Sequence, residues 1–218
     1  MQKFIDKNKK NSKKVIEDEE KDVEIPKIPK ELLEEENKNF IVAIFEVAHR
    51  DVLIINSYER FYRTNNQKLN YVEYNEKLEN EKQLENTGIY INGKNTYRFG
   101  YRCNFENPGK YTIIYKFNKP LTSAAYLFYL VDSMISIDLS NFDFRYLNIT
   151  SSMFEFCSNL KKINFSNFNE TNLIYTDEMF YGCKSLKLID LPDLNLSKIK
   201  SSYNMFDGCS AKIITKDS

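Results

Sequence analysis

Met153-Phe154-Glu155-Phe156-Cys157 decides the fold, because its pattern Met-Phe-x-x-Cys begins again at Met179 and at Met205. Successive copies are twenty-six residues apart both times. One more step towards the N-terminus gives a degenerate copy, Leu127-Phe128-Tyr129-Leu130-Val131. A constant period of this length is typical of repeat proteins, in which each unit buries its apolar side chains against neighbouring units.

The apolar positions of the copies agree beyond this pattern. Leu160 and Leu186 lie three residues after the Cys position, and Ile163 and Ile189 lie three residues further on. Agreement at many offsets indicates one common register. The register predicts a repeated core of Phe128, Phe154, Cys157, Leu160, Ile163, Phe180, Cys183, Leu186, Ile189, Phe206 and Cys209.

Two local periods alternate within each unit. Ile163-x-Phe165 alternates as a half-buried strand does, whereas Met153 to Leu160 carries apolar residues at spacings of three and four, as on one helical face. Each unit is therefore predicted to hold a short strand, a loop and a short helix. Stacking such units would place their strands in parallel and bring equivalent side chains into contact.

A known repeat family carries a similar pattern. The leucine-rich repeats of BspA-type surface proteins resemble two segments, Cys157-x-x-Leu160-x-x-Ile163-x-Phe165 and Cys183-x-x-Leu186-x-x-Ile189-x-Leu191-Pro192. The resemblance covers about Leu121 to Ile214, and this form of the repeat is similar to that of mycoplasma lipoproteins and protist surface proteins. It implies an α+β fold, a short leucine-rich repeat solenoid with one strand and one short helix per repeat. It also implies recognition or adhesion at the cell surface.

Composition divides the chain into three predicted parts. Residues 1–38 carry blocks of like charge and few apolar side chains, so we expect a disordered charged tail with a short helix at Lys30 to Asn37. Residues 39–119 are rich in β-branched and aromatic residues and predict a β-rich N-terminal module that caps the repeats, or alternatively a separate Ig-like binding domain. Residues 120–218 hold about four repeats, of which the first and last are atypical.

Charge and hydropathy limit the partners. The formal net charge is zero, which favours neither a nucleic acid nor an anionic membrane as the partner. No stretch of about 20 apolar residues is present, and no apolar run near the start resembles a secretory signal. The resemblance implies a cell-surface location, whereas the missing signal leaves a cytoplasmic location open.

The cysteines and the single histidine are the first candidates for chemistry. Cys157, Cys183 and Cys209 occupy one repeat position, where the first copy has Val131, so we interpret them as buried thiols in a small apolar slot. A disulfide or a metal site is the alternative, but no Cys-x-x-Cys pair or nearby histidine supports metal binding. Cys103 and His49 are interpreted as a structural thiol and a surface residue in a turn between two strands.

A polar stripe is the best candidate for a binding face. Strand alternation predicts that Asp138, Asn164 and Asp190 point away from the core, and the same stripe includes Ser140, Lys162 and Ser166. A solvated sheet face is the alternative interpretation, and the stripe lacks the set of oxygen ligands that Ca²⁺ needs. Tyr129 and Tyr181 near the turns are either interface anchors or rings packed over the next unit.

These observations predict a non-enzymatic interaction protein. The partner is an unknown protein or glycan, and no cofactor or metal is expected. An intracellular scaffold or effector with the same repeats is the alternative function. An enzyme is disfavoured because the sequence holds no phosphate-binding glycine loop, metal cluster or catalytic triad.

Overall fold

The computed structural model describes residues 28–34, 38–64, 80–96, 99–166, 168, 172–191, 194 and 196–215. Ten strands lie within these residues: β1 Phe40–Val47, β2 Asp51–Leu53, β3 Gly88–Ile91, β4 Lys94–Asn95, β5 Arg102–Asn104, β6 Gly109–Lys116, β7 Met134–Asp138, β8 Lys162–Asn164, β9 Leu188–Leu191 and β10 Lys212–Thr215. The described helices are α1 Lys30–Glu34, α2 Tyr58–Thr64, α3 Glu81–Leu84 and a 3₁₀ turn, Leu196–Lys198.

A mixed sheet in the order β4-β3-β6-β1-β7-β8 is the centre of the molecule. β1 pairs antiparallel with β6 on one side and with β7 on the other, while β7 and β8 are parallel. β9 pairs with β10 in parallel, and β2 pairs with β5 antiparallel, in two separate two-stranded sheets. The sheet therefore joins strands from the first half of the chain to strands of the repeats.

β1 is apolar on both faces because both faces of the sheet are covered. Ile41 and Phe45 are fully buried in the main core. Phe40 and Val42 point to the opposite face, where Leu32 of α1 packs against them. A strand buried on two sides is typically a continuous apolar run rather than an alternating one, and residues 40–45 of β1 form such a run before the exposed Glu46.

The predicted fold class is wrong. The described residues form a sheet-dominated fold with few short helices, and not a leucine-rich repeat solenoid with a strand and a short helix in each repeat. The segment from Met153 to Cys157, predicted as helical, is a series of turns. β7 lies in the same sheet as β1 and β6, rather than in a solenoid behind a cap.

Backbone geometry explains why these segments are not helices. Ser152 and Phe156 have φ values of 56° and 58°, whereas an α-helix needs negative φ throughout. The N–H of Cys157 donates to the carbonyl of Phe154 within the turn, but the N–H of Phe154 donates to Met179 in the next repeat at 2.9 Å. Alternate N–H groups thus leave the segment, so the ladder of bonds from residue i to residue i−4 cannot form.

Equivalent turns of successive repeats nevertheless contact one another. Phe128, Phe154, Phe180 and Phe206 form a column of rings with centroids 5.6–5.7 Å apart. We call the four turns 123–130, 149–156, 175–182 and 201–208 the turn stack; isolated parallel bridges connect their first residues. Of the predicted repeat core, Phe128, Phe154, Cys157, Leu160, Phe180, Cys183, Leu186 and Ile189 are buried, while Ile163, Phe206 and Cys209 are partly buried against the same core.

The three predicted parts of the chain meet in this structure. Residues 1–27 of the predicted disordered tail lie outside the described residues, and α1 confirms the short helix as far as Glu34. The predicted boundary near residue 119 falls in the connection between β6 and β7, and one apolar core contains Tyr115 as well as Phe128. Whether residues 39–119 act as a cap or as a separate binding domain stays a prediction.

Candidate functional site

The predicted polar stripe lies on the outer face of β7 and β8, where most of its oxygen atoms are used internally. Asp138 Oδ1 accepts hydrogen bonds from the N–H of Ser140 and from Nδ2 of Asn164, both at 2.9 Å. Asn164 Oδ1 in turn accepts from the N–H and the hydroxyl of Ser166. Each side chain thus closes the loop after its own strand, and Asn164 links two neighbouring repeats.

The other members of the stripe are spread out. Lys162 and Ser166 are exposed, and Asp138, Ser140 and Asn164 are half-buried. Asp190 is exposed, but it lies in β9, which belongs to a different sheet from Asp138 and Asn164. Asp138, Ser140, Asn164 and Ser166 therefore form a structural hydrogen-bond network at β7 and β8, and Asp190 is not hydrogen-bonded into it through the sheet.

A second surface, on the solvent side of the turn stack, brings aromatic rings together around a carboxylate. We call it the tyrosine face. Its members come from the first three turns and from α2. They are Tyr62, Tyr126, Tyr129, Glu155, Phe156, Glu178 and Tyr181.

Helix α2 packs over the first turn. The ring of Phe61 stacks on Tyr126 at 4.9 Å between centroids, and its edge meets Tyr129 at 4.7 Å. Tyr58 is buried beneath, with its ring 5.6 Å from that of Tyr126. The α2 end of the tyrosine face is thus held by ring contacts, while Tyr126 and Tyr129 stay half-buried.

The ring of Phe156 lies in the middle of the face because Gly182 leaves room for it. The edge of this ring meets Tyr129 at 6.1 Å and Tyr181 at 5.3 Å. A Cβ atom on Gly182 would lie 2.8 Å from Cδ1 of Phe156, and Gly182 has a φ of +70°, which disfavours other residues. The arrangement of the three rings is therefore encoded by a glycine in the following repeat.

Glu155 lies near Tyr126 and Tyr129 with only 8% of its surface exposed. Burial raises the pKa of its carboxyl to about 7, and the neighbouring Glu178 adds to the shift while a hydrogen bond with Ser152 opposes it. Burial also raises the pKa of Tyr129 to about 12, with contributions from Glu155 and Glu178. The tyrosine face thus changes its charge near neutral pH.

The wild-type protein is expected to lose stability as pH rises, and Glu155→Gln is expected to remove this loss. The carboxyl has a pKa of 4.5 in the unfolded chain and about 7 in the folded chain, so folding favours its protonated form. Wild-type stability should therefore fall, relative to the variant, by about 1–3 kcal/mol as pH rises from 4.5 to 8, since one pKa unit corresponds to about 1.4 kcal/mol. Urea unfolding of both proteins across this range measures the difference, and parallel pH profiles would contradict it.

The cysteines provide no reactive thiol in this structure. All four are free, and Cys157 and Cys183 are buried, each donating its thiol to a carbonyl of the preceding repeat at 3.0 Å. Burial raises the pKa of both thiols, which keeps them protonated. Cys103 and Cys209 are half-buried, and burial raises the pKa of these thiols too.

Catalytic and metal-binding groups are sparse in the described part of the chain. No cluster of three or more His, Cys, Asp or Glu side chains lies close enough together there to hold a metal ion. His49 is exposed in the turn between β1 and β2, as predicted. A shallow cavity of about 360 Å³ lies beside Ile89, Arg102 and Cys103, but Arg102 is paired with Asp51 at 2.9 Å. No helix among the described residues is long and apolar enough to cross a membrane.

Part of the chain is similar to a known family. Residues 114–216 match the family model of DUF285, described as a mycoplasma protein of unknown function. The DUF285 match begins in β6 and ends just after β10, so it contains the whole turn stack and every member of the tyrosine face except Tyr62. No curated protein and no solved structure matches the chain.

Sequence reasoning named Tyr129 and Tyr181 but missed Glu155 between them. The three residues occupy one position of the repeat, where the four copies have Tyr129, Glu155, Tyr181 and Asp207. Asp207 is exposed whereas Glu155 is buried, so the residue type at this position does not reveal the burial of Glu155. The role of α2 had no comparable signal, because Tyr58–Thr64 lies far from the repeats in sequence.

Proposed function

We propose that this protein is a non-enzymatic recognition or adhesion protein that binds another macromolecule through the tyrosine face. The observation that supports this proposal is the row of half-buried rings of Tyr129, Phe156 and Tyr181, with the buried carboxyl of Glu155 beside Tyr129. Tyrosine is enriched among the residues that dominate binding energy at protein interfaces. The partner is a protein or a glycan, in agreement with what the resemblance to BspA-type surface proteins implies.

Rigidity makes these rings effective anchors. Each ring of the face contacts at least one other ring, and the backbone beneath them is held by hydrogen bonds between turns, such as that from Phe156 to Tyr181 at 2.8 Å. Side chains that are already ordered lose little conformational entropy on binding. The polar stripe is a weaker candidate because Asp138 and Asn164 already satisfy neighbouring groups.

The test compares variants of the full-length chain on arrays of immobilised peptides and glycans. Tyr129→Ala combined with Tyr181→Ala is expected to weaken binding to the recognised ligands at least tenfold, because truncating an anchor ring at an interface costs about 2 kcal/mol or more. Tyr146→Ala is the matched control, since Tyr146 is 56% exposed and lies outside the tyrosine face.

Affinity for each ligand is then measured by titration, with the melting temperature as a check on folding. Equal binding by wild type and the double variant would contradict the tyrosine face as the binding surface. Loss of binding in Tyr146→Ala alone would place the binding surface around Tyr146 instead.

A further inference from the structure

At every second residue, the hydrogen bonds along the turn stack run in one direction; only Tyr175 and Ser201, which begin the third and fourth turns, donate the other way, to the carbonyls of Asn148 and Ile174 at 3.3 Å. The N–H groups of Thr150, Ser152, Phe154 and Phe156 donate to carbonyls of the third turn at 2.8–2.9 Å. The junctions between the first and second turns and between the third and fourth turns have the same pattern, with donors in the earlier turn and acceptors in the later one. The stack therefore ends in a row of carbonyls on one side and in a row of N–H groups on the other.

The carbonyl end is closed by two asparagines. Asn56 donates its N–H to the carbonyl of Leu127 at 2.7 Å and its Nδ2 to that of Tyr129 at 3.3 Å. Asn80 donates Nδ2 to the carbonyl of Ala125 at 2.8 Å. Both asparagines are at most 3% exposed, so the carbonyls that they bind at this end of the stack are buried and hydrogen-bonded.

The N–H end has no such closure within the described residues. The equivalent donors of the fourth turn are the N–H groups of Ser202, Asn204, Phe206 and Gly208, and no acceptor there receives them. The ring of Phe206 stacks on Phe180 at 5.7 Å and 4°, and no ring of the described chain covers its other side. This end presents donors at every second residue beside an aromatic ring.

The outer edge of β10 presents further unpaired backbone groups at the same end of the repeats. Lys212 donates its N–H to the carbonyl of Lys187 at 2.8 Å, which directs it towards β9. Since successive residues of a parallel strand point their backbone groups to opposite sides, the N–H and carbonyl of Ile213 point outwards. An incoming chain could therefore pair with β10 and with the turn at the same time.

We propose that this open end binds an extended segment of another polypeptide, which adds a strand parallel to β10 and offers backbone carbonyls to the fourth turn. This surface differs from the tyrosine face, so the proposal goes beyond the recognition function proposed above. Strand addition at an exposed edge gains affinity from main-chain hydrogen bonds, and alternate side chains supply specificity. An aromatic side chain in the incoming segment would cover Phe206 as Phe206 covers Phe180.

The direction of the hydrogen bonds determines which occupant fits. Two copies that meet by their open ends would place the N–H groups of their fourth turns against each other. A copy that approaches by its other end would have to displace Asn56 and Asn80 from the carbonyls they satisfy. An extended segment of a different polypeptide offers free carbonyls. It neither opposes N–H groups with N–H groups nor has to displace Asn56 and Asn80.

Amide hydrogen exchange on the full-length protein is the first test. The probe is a synthetic peptide with the sequence of residues 201–215 and Cys209→Ser, because this segment already occupies the equivalent position one repeat earlier. Without peptide, the amides of Ser202, Asn204, Phe206 and Gly208 should exchange rapidly, whereas those of Thr176, Glu178, Phe180 and Gly182 should be protected. With peptide, the first four and the amide of Ile213 should become protected, and a scrambled peptide should leave them unchanged.

A pair of variants tests the edge itself. Ile213→Pro removes the outward N–H at a position where an edge strand tolerates proline, and Ile213→Val keeps that N–H on a side chain of similar size. Fluorescence anisotropy of the labelled peptide should show binding weakened at least tenfold by Ile213→Pro and changed by less than twofold by Ile213→Val.

Three results would overturn the proposal. Peptide that leaves the four amides unprotected would show that the open end does not accept a strand. Protection without peptide that rises with protein concentration would show that a second copy covers this end instead. Equal affinity of the two Ile213 variants would show that the peptide binds elsewhere.

Discussion

Phe180→Ala should lower the free energy of unfolding by about 3–5 kcal/mol, the usual cost of deleting a buried aromatic side chain. The ring is fully buried between Phe154 and Phe206, with centroids 5.6 Å and 5.7 Å away and ring planes within 11° and 4° of parallel. Its loss would open a cavity in the middle of the ring column and would remove contacts on both sides. Equilibrium unfolding in urea measures the change.

Tyr203→Ala is the matched control for this substitution. It also removes an aromatic ring from the repeats, but Tyr203 is 70% exposed, so the expected change is within about 0.5 kcal/mol. A Phe180→Ala variant as stable as the control would contradict the register in which Phe128, Phe154, Phe180 and Phe206 are equivalent.

Asn80→Asp should destabilise the protein by about 3–5 kcal/mol at pH 8, because it places an uncompensated charge in a buried site. The change removes the Nδ2 donor to the carbonyl of Ala125 and sets a carboxylate against that oxygen. It also adds a negative charge near Glu59, whose carboxylate accepts the N–H of Asn80 at 3.1 Å. The closed end of the turn stack would lose one of its two capping side chains.

The cost of Asn80→Asp should depend on pH. Burial raises the pKa of the introduced carboxyl in the folded state, so its protonated form can still donate to Ala125 at low pH, and the penalty grows as pH rises. Asn86→Asp, in an exposed turn nearby, should change stability by less than about 0.5 kcal/mol at every pH. A penalty for Asn80→Asp that is the same at pH 4 and pH 8 would contradict a buried, hydrogen-bonded Asn80.

The sequence predicted which residues pack together better than it predicted the backbone conformation of the repeats. The repeat register placed Phe154 and Phe180 in one ring column, and the continuous apolar run predicted β1. Between β3 and β4, Asn92-Gly93 forms a turn with two positive φ values, 49° and 78°, which is the turn that this dipeptide favours. These features depend on the repeat period or on the types of a few adjacent residues, both of which the sequence shows directly.

The helix in each repeat was wrong because a spacing of three and four does not distinguish a helix from stacked turns. Leu130, Phe156, Gly182 and Gly208 share one repeat position, and all four have positive φ. Glycine in two of these copies was a visible signal against a helix. The hydrogen bonds that replace the helical ones run between repeats, and no pattern within one repeat reveals them.

The candidate site was only partly predictable for a related reason. Tyr129 and Tyr181 were visible as aromatic residues near turns, but the surface also depends on α2, which comes from a distant part of the sequence. For the polar stripe, strand alternation could not show that Asp138 and Asn164 bond to each other.

The central position of β1 has a consequence for how the protein is made. β1 is one of the first strands to be synthesised, but its two partners, β6 and β7, are complete only when Lys116 and Asp138 have been added. At about 5–20 residues per second, a ribosome takes several seconds to reach them. During that time an eight-residue apolar strand is without its sheet, so nascent chains of this protein should be unusually dependent on chaperones that shield exposed strands.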